Sequence, residues 1–247
     1  MEQSGTSVNK YISESGFCSR READKYVETG RVTINNKIAR KGNRVADGQV
    51  VKVDGQIIKR KKSAVYIMLN KPKGVTCTTD LKDKSNIIDF IRFKSRIFPI
   101  GRLDKLSDGL IFLTNDGDIV NKILRAGNGH EKEYIVTVDK PINIDFIQKM
   151  GNGVPILGTV TKKCFVKQEG EKQFRIILTQ GLNRQIRRMA EVLGYKVTAL
   201  TRVRIMNVTL KGIPKGKWRY FTPAEIEQIN ELIASSAKAG SEDGMSE

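Results

Sequence analysis

The sequence predicts an α+β protein of two modules: two helices on a small, strongly turned sheet, followed by a larger domain with a mostly antiparallel sheet and flanking helices. Three observations support this. Short apolar, β-branched runs alternate with amphipathic helical segments along most of the chain. Most segments between successive strands are too short for parallel crossovers. The basic run Lys59–Ser63 separates two differently patterned regions, and it predicts a linker.

The first module is predicted over residues 7–62. Ser19 and Glu22 have the spacing of a capping box at the start of a helix, and Gly30 stands where a helix end favours positive φ. Two β-hairpins follow in RVTINNKIA and QVVKVDGQII, with Asn-Asn and Asp-Gly at their turns.

The second module is predicted over residues 63–235. Strands are expected in AVYIMLN, LIFLTN, EYIVTV, FRIILTQ and IMNVTL. Helices are expected in GDIVNKIL, in INIDFIQKM, in NRQIRRMAEVLG with an Asn cap and a stop at Gly194, and in TPAEIEQINELIASS with a Thr cap. The polar segment 236–247 is expected to be a disordered tail.

The charge balance indicates a polyanionic partner. The chain carries 44 basic and 27 acidic residues, a net charge of +17. The first 64 residues hold 14 Lys and Arg against 7 Asp and Glu, so the first module is the more basic per residue. Neutralising phosphates releases counterions, which favours nucleic acid as the partner. A membrane surface and an acidic protein remain alternatives.

Cysteine and histidine usage excludes several kinds of site. Three cysteines far apart in sequence argue against a disulfide framework and a thiolate metal site. The single histidine, His130, excludes a metal site built on several imidazoles, and we interpret it as structural or close to a phosphate. The chain has no apolar run long enough to cross a bilayer and no signal-peptide core at its N-terminus, so a cytoplasmic protein is expected.

The most informative stretch is FPIGRLDKLSDGLIFLTNDGD. Asp104 lies there in a loop directly before a predicted buried strand, a common position for a reactive side chain. From the residues alone, the alternative is an aspartate that caps its own turn. For Arg102, two residues earlier, the alternative is a solvated cation.

At this stretch the sequence resembles the RsuA-like family of small bacterial ribosomal RNA pseudouridine synthases, and it is most similar to the RluF type. HEKEYIVTVDKP, GVPILGTVTKK, GLNRQIRRM and LTRVRI match the family in the same order. The resemblance runs from about residue 8 to residue 233. It implies an enzyme that isomerises uridine in structured RNA without a metal or any other cofactor.

The resemblance also implies roles for individual residues. Asp104 would be the catalytic nucleophile or base, Arg187 its ion-pair partner, and Tyr134 the ring that stacks on the target uracil. Arg102 would help to hold the flipped nucleotide, and Leu200 and Ile205 would wall the uracil pocket. For Tyr134, Leu200 and Ile205, the plain alternative is an ordinary core position.

The helix over NRQIRRM adds geometry to these assignments. At 100° per residue, Ile186, Met189, Ala190 and Leu193 form one apolar stripe, and Arg187 lies on its border. Arg187 can therefore turn inward most readily. Arg184 and Arg188 lie nearly opposite the stripe and are predicted to contact RNA phosphates, with a solvated face as the alternative. Lys132 is a further candidate for phosphate contact.

The stretch NKYISESGFCSRREADKYVETGRVTINNK resembles an RNA-binding module that is also found in a small-subunit ribosomal protein and in bacterial tyrosyl-tRNA synthetases. The cations implied to face RNA are Lys10, Arg20, Arg21, Lys25 and Arg31.

Together these observations predict a monomeric enzyme that acts on large-subunit ribosomal RNA. The alternatives are the same chemistry on a transfer RNA stem-loop and a non-catalytic RNA-binding assembly factor. Sequence does not separate the RNA substrates, because such recognition depends on RNA shape and unpaired bases.

Overall fold

The computed structural model describes residues 5–59, 63–124 and 129–242. Residues 60–62 of the predicted linker lie outside this description. The chain divides into two compact units. The first contains residues up to Val65 together with Phe93–Ile97 and Asn115–Gly117, and the second contains the remainder.

Two helices and six short strands make up the described part of the first unit. The helices are α1 (Val8–Glu14) and α2 (Arg20–Glu28). The strands are β1 (Thr6–Ser7), β2 (Val32–Ile34), β3 (Lys37–Ile38), β4 (Arg44–Val45), β5 (Val51–Val53) and β6 (Gln56–Ile58). Strand β1 pairs with β4, and the other four form an antiparallel sheet in the order β3-β2-β5-β6.

Local sequence signals explain this unit. Ser19 and Glu22 form the predicted capping box of α2, with each side chain bonded to the other residue's backbone N–H. Asn35 and Asn36 adopt positive φ at one hairpin turn, and Asp54 and Gly55 do so at the other, as two-residue hairpin loops require. A core that includes Val8, Ile12, Ala23, Val27 and Val32 joins the helices to the sheet.

The described residues of the second unit form five helices and eleven strands. The helices are α3 (Ile87–Ile91), α4 (Gly117–Leu124), α5 (Ile144–Asn152), α6 (Gln185–Val192) and α7 (Pro223–Glu242). The strands are β7 (Tyr66–Lys71), β8 (Phe98–Ile100), β9 (Asp108–Thr114), β10 (Lys132–Val138), β11 (Pro155–Ile156), β12 (Thr159–Val160), β13 (Phe165–Gly170), β14 (Gln173–Leu178), β15 (Val197–Ile205), β16 (Val208–Thr209) and β17 (Trp218–Tyr220).

Nine of these strands form one mixed sheet. Its order is β13-β14-β10-β15-β9-β7-β17, with β16 paired to β15 and β8 to β9. Strands β9 and β15 run parallel, and the other described pairs in this sheet are antiparallel. The α+β class and the mostly antiparallel sheet are therefore confirmed.

None of the described helices is long and apolar enough to cross a membrane.

The parallel pair brings two backbones very close together. Gly109 of β9 has φ +107°, and a Cβ atom placed on it would lie 2.3 Å from the carbonyl oxygen of Arg202 on β15. A side chain does not fit at that distance, and few residues other than glycine adopt such a φ. The central contact of the sheet therefore requires glycine at this position.

Three sequence-based predictions of elements are wrong. IMNVTL is not one strand: it contains the end of β15, a turn in which Met206 adopts φ +53°, and β16. Helix α6 is capped by Arg184 in a left-handed conformation and not by the Asn183 side chain. Helix α7 continues to Glu242, so residues 236–242 of the expected tail are helical. Residues 243–247 lie outside the described chain.

Candidate active site

A cavity of about 280 Å³ opens in the second unit; we call it the central cavity. It is walled by the loop Ile100–Asp104, by residues of β10 and β15, and by the start of α6. Eight residues predicted as site residues from the sequence line it: Arg102, Asp104, Lys132, Tyr134, Arg184, Arg187, Leu200 and Ile205. The structure thus brings together side chains that are far apart in the sequence.

Asp104 lines the cavity from the loop that precedes β9. Its backbone carbonyl accepts a hydrogen bond from the Ser107 N–H at 3.0 Å, which closes a turn. Leu103 is buried, and its N–H donates to Cys77 Sγ at 3.4 Å. The Asp104 side chain keeps 37% of its surface exposed. The loop is thus anchored on both sides of a carboxylate that substrate can reach.

Arg187 of α6 faces this carboxylate from inside the protein. Its Nε lies 3.5 Å from Asp104 Oδ2, although the residue is only 7% exposed. The orientation does not make a hydrogen bond, so the contact is an ion pair alone. The two Nη atoms are held elsewhere: Nη1 donates to the Val197 carbonyl and Nη2 to Ser107 Oγ at 3.0 Å. The guanidinium is thereby fixed beside Asp104.

Tyr134 forms part of the cavity wall on β10. It is buried, and in the strand register it lies opposite Arg202 of β15. Leu200 and Ile205 on β15 are buried and also line the cavity. Ile205 belongs in addition to the hydrophobic core between the sheet and α7. The wall and core interpretations of Ile205 therefore both hold.

Lys132 is held at the cavity wall and does not extend into solvent. Its Nζ donates to the carbonyl oxygen of His130 at 2.9 Å. Burial lowers the pKa of the Lys132 ammonium, and the nearby Arg202 charge lowers it further. His130 is buried too, and burial is the main cause that lowers its pKa. A neutral imidazole in this position fits the structural interpretation of His130.

Sequence reasoning grouped Arg184 and Arg188, but the structure separates them. Arg184 is exposed, precedes the helix and lines the cavity, so a helical-face argument does not apply to it. Arg188 is half-buried away from the cavity lining. It donates to the carbonyl and the side-chain oxygen of Asn183 at 3.1 and 3.2 Å. The two arginines therefore have different surroundings.

Sequence reasoning missed several lining residues, among them Ser107 and Arg202. Ser107 fixes Arg187, as described above. Arg202 is 4% exposed and lines the cavity beside Tyr134, with its Nε donating to the Leu110 carbonyl at 2.7 Å. The sequence contained one signal for Arg202. It lies two positions after Leu200, and alternate residues of a strand share a face, so Arg202 could have been expected on the same face as a predicted pocket residue.

The predicted RNA-contact residues of the first unit differ in their surroundings. Lys10 lies 3.5 Å from Glu14, and Arg31 makes a bidentate contact with Asp54 at 2.8 and 2.6 Å. The exposed cations Arg20, Arg21 and Lys25 form no ion pair with any carboxylate of the described residues. These three are the most available to a polyanion.

Among the described residues, no group of three or more His, Cys, Asp or Glu side chains could hold a metal ion. The ionisable groups of the described cavity lining are one carboxylate, five cations and a phenol. The cations are Arg102, Lys132, Arg184, Arg187 and Arg202. Such a lining suits an anionic substrate, with Asp104 as the only carboxylate in the described lining.

Comparisons with known proteins agree with this site. The RNA pseudouridylate synthase family model matches residues 65–192, and an S4 domain model matches residues 8–51. The chain is 60% identical to the dual-specificity RNA pseudouridine synthase RluF of Salmonella typhi, over 96% of this chain and 83% of that protein. It is 32% identical to the ribosomal large subunit pseudouridine synthase B of Bacillus subtilis, over 91% of this chain and 96% of that protein.

A solved structure agrees as well. A crystal structure of a pseudouridylate synthase superposes with a TM-score of 0.66 at 26% identity, covering 91% of this chain and all of that one. The resemblance inferred from the sequence motifs is thereby confirmed. The chain belongs to the RNA pseudouridylate synthase family, as a member of the RluF type that carries an S4 domain.

Proposed function

We propose that this isomerase converts uridine to pseudouridine in large-subunit ribosomal RNA, with Asp104 as the nucleophile or base. The assignment of this reaction rests on family membership. The substrate is supported by the name of the Bacillus subtilis relative, a ribosomal large subunit synthase. The name of the RluF relatives, dual-specificity, supports more than one target, so a transfer RNA stem-loop remains the second candidate.

The observation that carries the mechanism is the partly exposed Asp104 carboxylate in a cation-lined cavity, with the buried Arg187 held 3.5 Å from it. Formation of pseudouridine breaks the bond between C1′ and N1, turns the uracil, and joins C1′ to C5. The C5 proton leaves, N1 takes up a proton, and no electrons are gained or lost. A carboxylate is sufficient as nucleophile or base, so we propose that the reaction needs no cofactor.

The remaining lining residues fit an extruded nucleotide. A uridine within structured RNA must leave its stack, at a cost of a few kcal/mol. Arg102 is exposed beside Asp104, where a guanidinium can hold the flipped nucleotide. Leu200 and Ile205 supply the apolar wall for the uracil ring, and Arg184 and Lys132 supply positive charge around the nucleotide.

For Tyr134 we propose stacking of the ring on the uracil. Stacking on a base is worth about 1–3 kcal/mol, and it tolerates rotation of the base in its own plane. Tyr134→Phe should therefore retain most activity, whereas Tyr134→Leu should lose most of it. Single-turnover rates of the two variants on the same RNA check this. Equal rates for Tyr134→Leu and wild type would contradict the stacking role.

The S4 domain is the RNA-binding module of the chain, and we propose that its unpaired cations contact phosphates. Neutralising Arg20, Arg21 and Lys25 to Gln should weaken RNA binding. It should also reduce the slope of log Kd against log salt by about one for each phosphate that the variant no longer neutralises. The control is Lys41→Gln, because Lys41 is not a predicted RNA contact and already has Glu28 as an acidic partner. An unchanged slope in the triple variant would show that these residues do not touch the RNA.

We propose domain bounds of 7–62 and 63–235, a monomer, and a cytoplasmic location that follows from the ribosomal substrate. The substrate is tested by mapping pseudouridines in ribosomal and transfer RNA from cells with and without the protein. We expect a site in large-subunit RNA to lose its pseudouridine when the protein is absent. A loss confined to transfer RNA would support the second candidate instead.

A further inference from the structure

Arg202 is a buried cation with unused hydrogen-bonding capacity. The residue is 4% exposed, and its Nε is bonded to the Leu110 carbonyl. Its Nη2, however, is buried and has no acceptor among the described residues. Leaving a buried donor of a charged group unpaired is costly, so such a group in an enzyme needs an explanation.

The surroundings of Arg202 place the residue at the proposed substrate site. Arg202 lines the central cavity, and it lies opposite Tyr134 in the strand pairing of β10 and β15. Lys132, on the same face of β10, lines the cavity too. Two cations thus flank the ring that we propose to stack on the uracil.

Fixing the sheet does not require this donor. The backbone of Arg202 is already held against Gly109 by the parallel pairing, and its Nε hydrogen bond to Leu110 adds a second connection between the strands. The Arg202 side chain therefore has Nη2 to spare after its structural contacts are made.

We propose that Arg202, assisted by Lys132, binds the carbonyl oxygens of the target uracil and stabilises the uracil anion during the reaction. This inference rests on the proposed function of the cavity. When the bond between C1′ and N1 breaks, its electron pair leaves with the uracil, and the charge spreads over N1, O2 and O4. When C5 attacks C1′, the uracil supplies that electron pair to the new bond between C5 and C1′. C5 then loses its proton, and N1 gains one. The stabilisation applies whether Asp104 acts as nucleophile or as base.

The test compares Arg202→Met with Arg204→Met in the full-length protein. Arg204 is on the same strand, but it is bonded to Glu133 and Glu131 and does not line the cavity. Removing one preorganised donor to a developing anion lowers kcat on the order of 10²–10³-fold. We expect a loss of that size at saturating RNA for Arg202→Met, with little change in RNA affinity, and near wild-type turnover for Arg204→Met.

A second substrate separates anion stabilisation from a structural effect. Fluorine at C5 withdraws electrons and makes the uracil a better leaving group, so RNA with 5-fluorouridine needs less help from Arg202. Glycosidic cleavage, measured by digestion and mass spectrometry, should show a clearly smaller loss for Arg202→Met than it shows with uridine. An equal loss on both substrates would overturn the proposal, as would a loss confined to RNA affinity.

Arg202→Lys keeps the proposal testable if Arg202→Met does not fold. It retains the charge without the fork of donors, so its loss on uridine should be partial and again smaller on 5-fluorouridine. A lysine variant that matches wild type on uridine would overturn a role for the guanidinium donor. The Arg202 variants can be compared on any RNA that wild type modifies. The proposed function is tested separately, by the turnover of wild type on ribosomal RNA.

Discussion

Replacing Asp104 with asparagine should abolish isomerisation and leave RNA binding intact. The two side chains are nearly the same shape, and the turn at this position is closed by backbone groups that the substitution does not touch. An amide, however, is a poor nucleophile and a poor base. RNA affinity depends on cations spread over both units, so the loss of one negative charge should leave it unchanged or slightly stronger.

Release of tritium from C5-labelled uridine in RNA measures the reaction directly, because the C5 proton must leave. Wild type should release tritium without added metal, and Asp104→Asn should remain at background. Asp80→Asn, a change at an exposed loop aspartate, is the matched control and should behave as wild type. Turnover by Asp104→Asn, with mass spectrometry showing that the asparagine has not deamidated, would remove Asp104 from the chemistry.

Replacing Arg187 with methionine should slow the reaction severely and destabilise the fold. Breaking a fully buried ion pair costs about 3–5 kcal/mol. Asp104 keeps 37% of its side chain exposed, so water offsets part of that loss. The buried acceptors Val197 O and Ser107 Oγ lose their donors as well, at about 1–3 kcal/mol for each group left unsatisfied. We therefore expect a drop of about 2–4 kcal/mol in the free energy of unfolding.

Arg188→Met is the matched control on the same helix, because the Arg188 side chain donates hydrogen bonds only to Asn183 among the described residues. It should leave the turnover rate near that of wild type and change stability little. Urea unfolding and single-turnover rates at saturating RNA measure the two effects. If the two variants lost activity and stability equally, the pairing of Arg187 with Asp104 would have no special importance.

The sequence predicts the local geometry of the fold well. The Asn-Asn and Asp-Gly hairpins and the capping box at Ser19 form as predicted. The reason is physical: these elements are decided by residues within two to four positions of each other. Motif resemblance also identified six residues that line the central cavity, and the search for phosphate contacts added Lys132 and Arg184. Their catalytic and binding roles stay predictions.

The wrong predictions come from backbone conformations that residue type does not indicate. Met206 and Arg184 adopt positive φ, a region that usually indicates Gly, Asn or Asp. The sequence does not distinguish Arg202 from Arg204, because residues two positions apart are expected to share one face of a strand. A bulge at Val203 shifts the register, so that Tyr134 pairs with Arg202 whereas Glu133 pairs with Arg204. One extra residue thus directs Arg202 to the cavity and Arg204 to the opposite face.

The parallel pairing of β9 and β15 has a consequence for synthesis on the ribosome. Leu110 and Arg202, which are bonded across this pair, are 92 residues apart. At about 5–20 residues per second, β9 waits roughly 5–20 s for its partner. During that time β7 can cover one edge of β9, while backbone groups near Asp108 and Gly109 on the other edge lack their final acceptors. The nascent chain therefore exposes an apolar strand edge until Arg202 of β15 has been synthesised. A chaperone that binds this edge would protect the chain most in that interval.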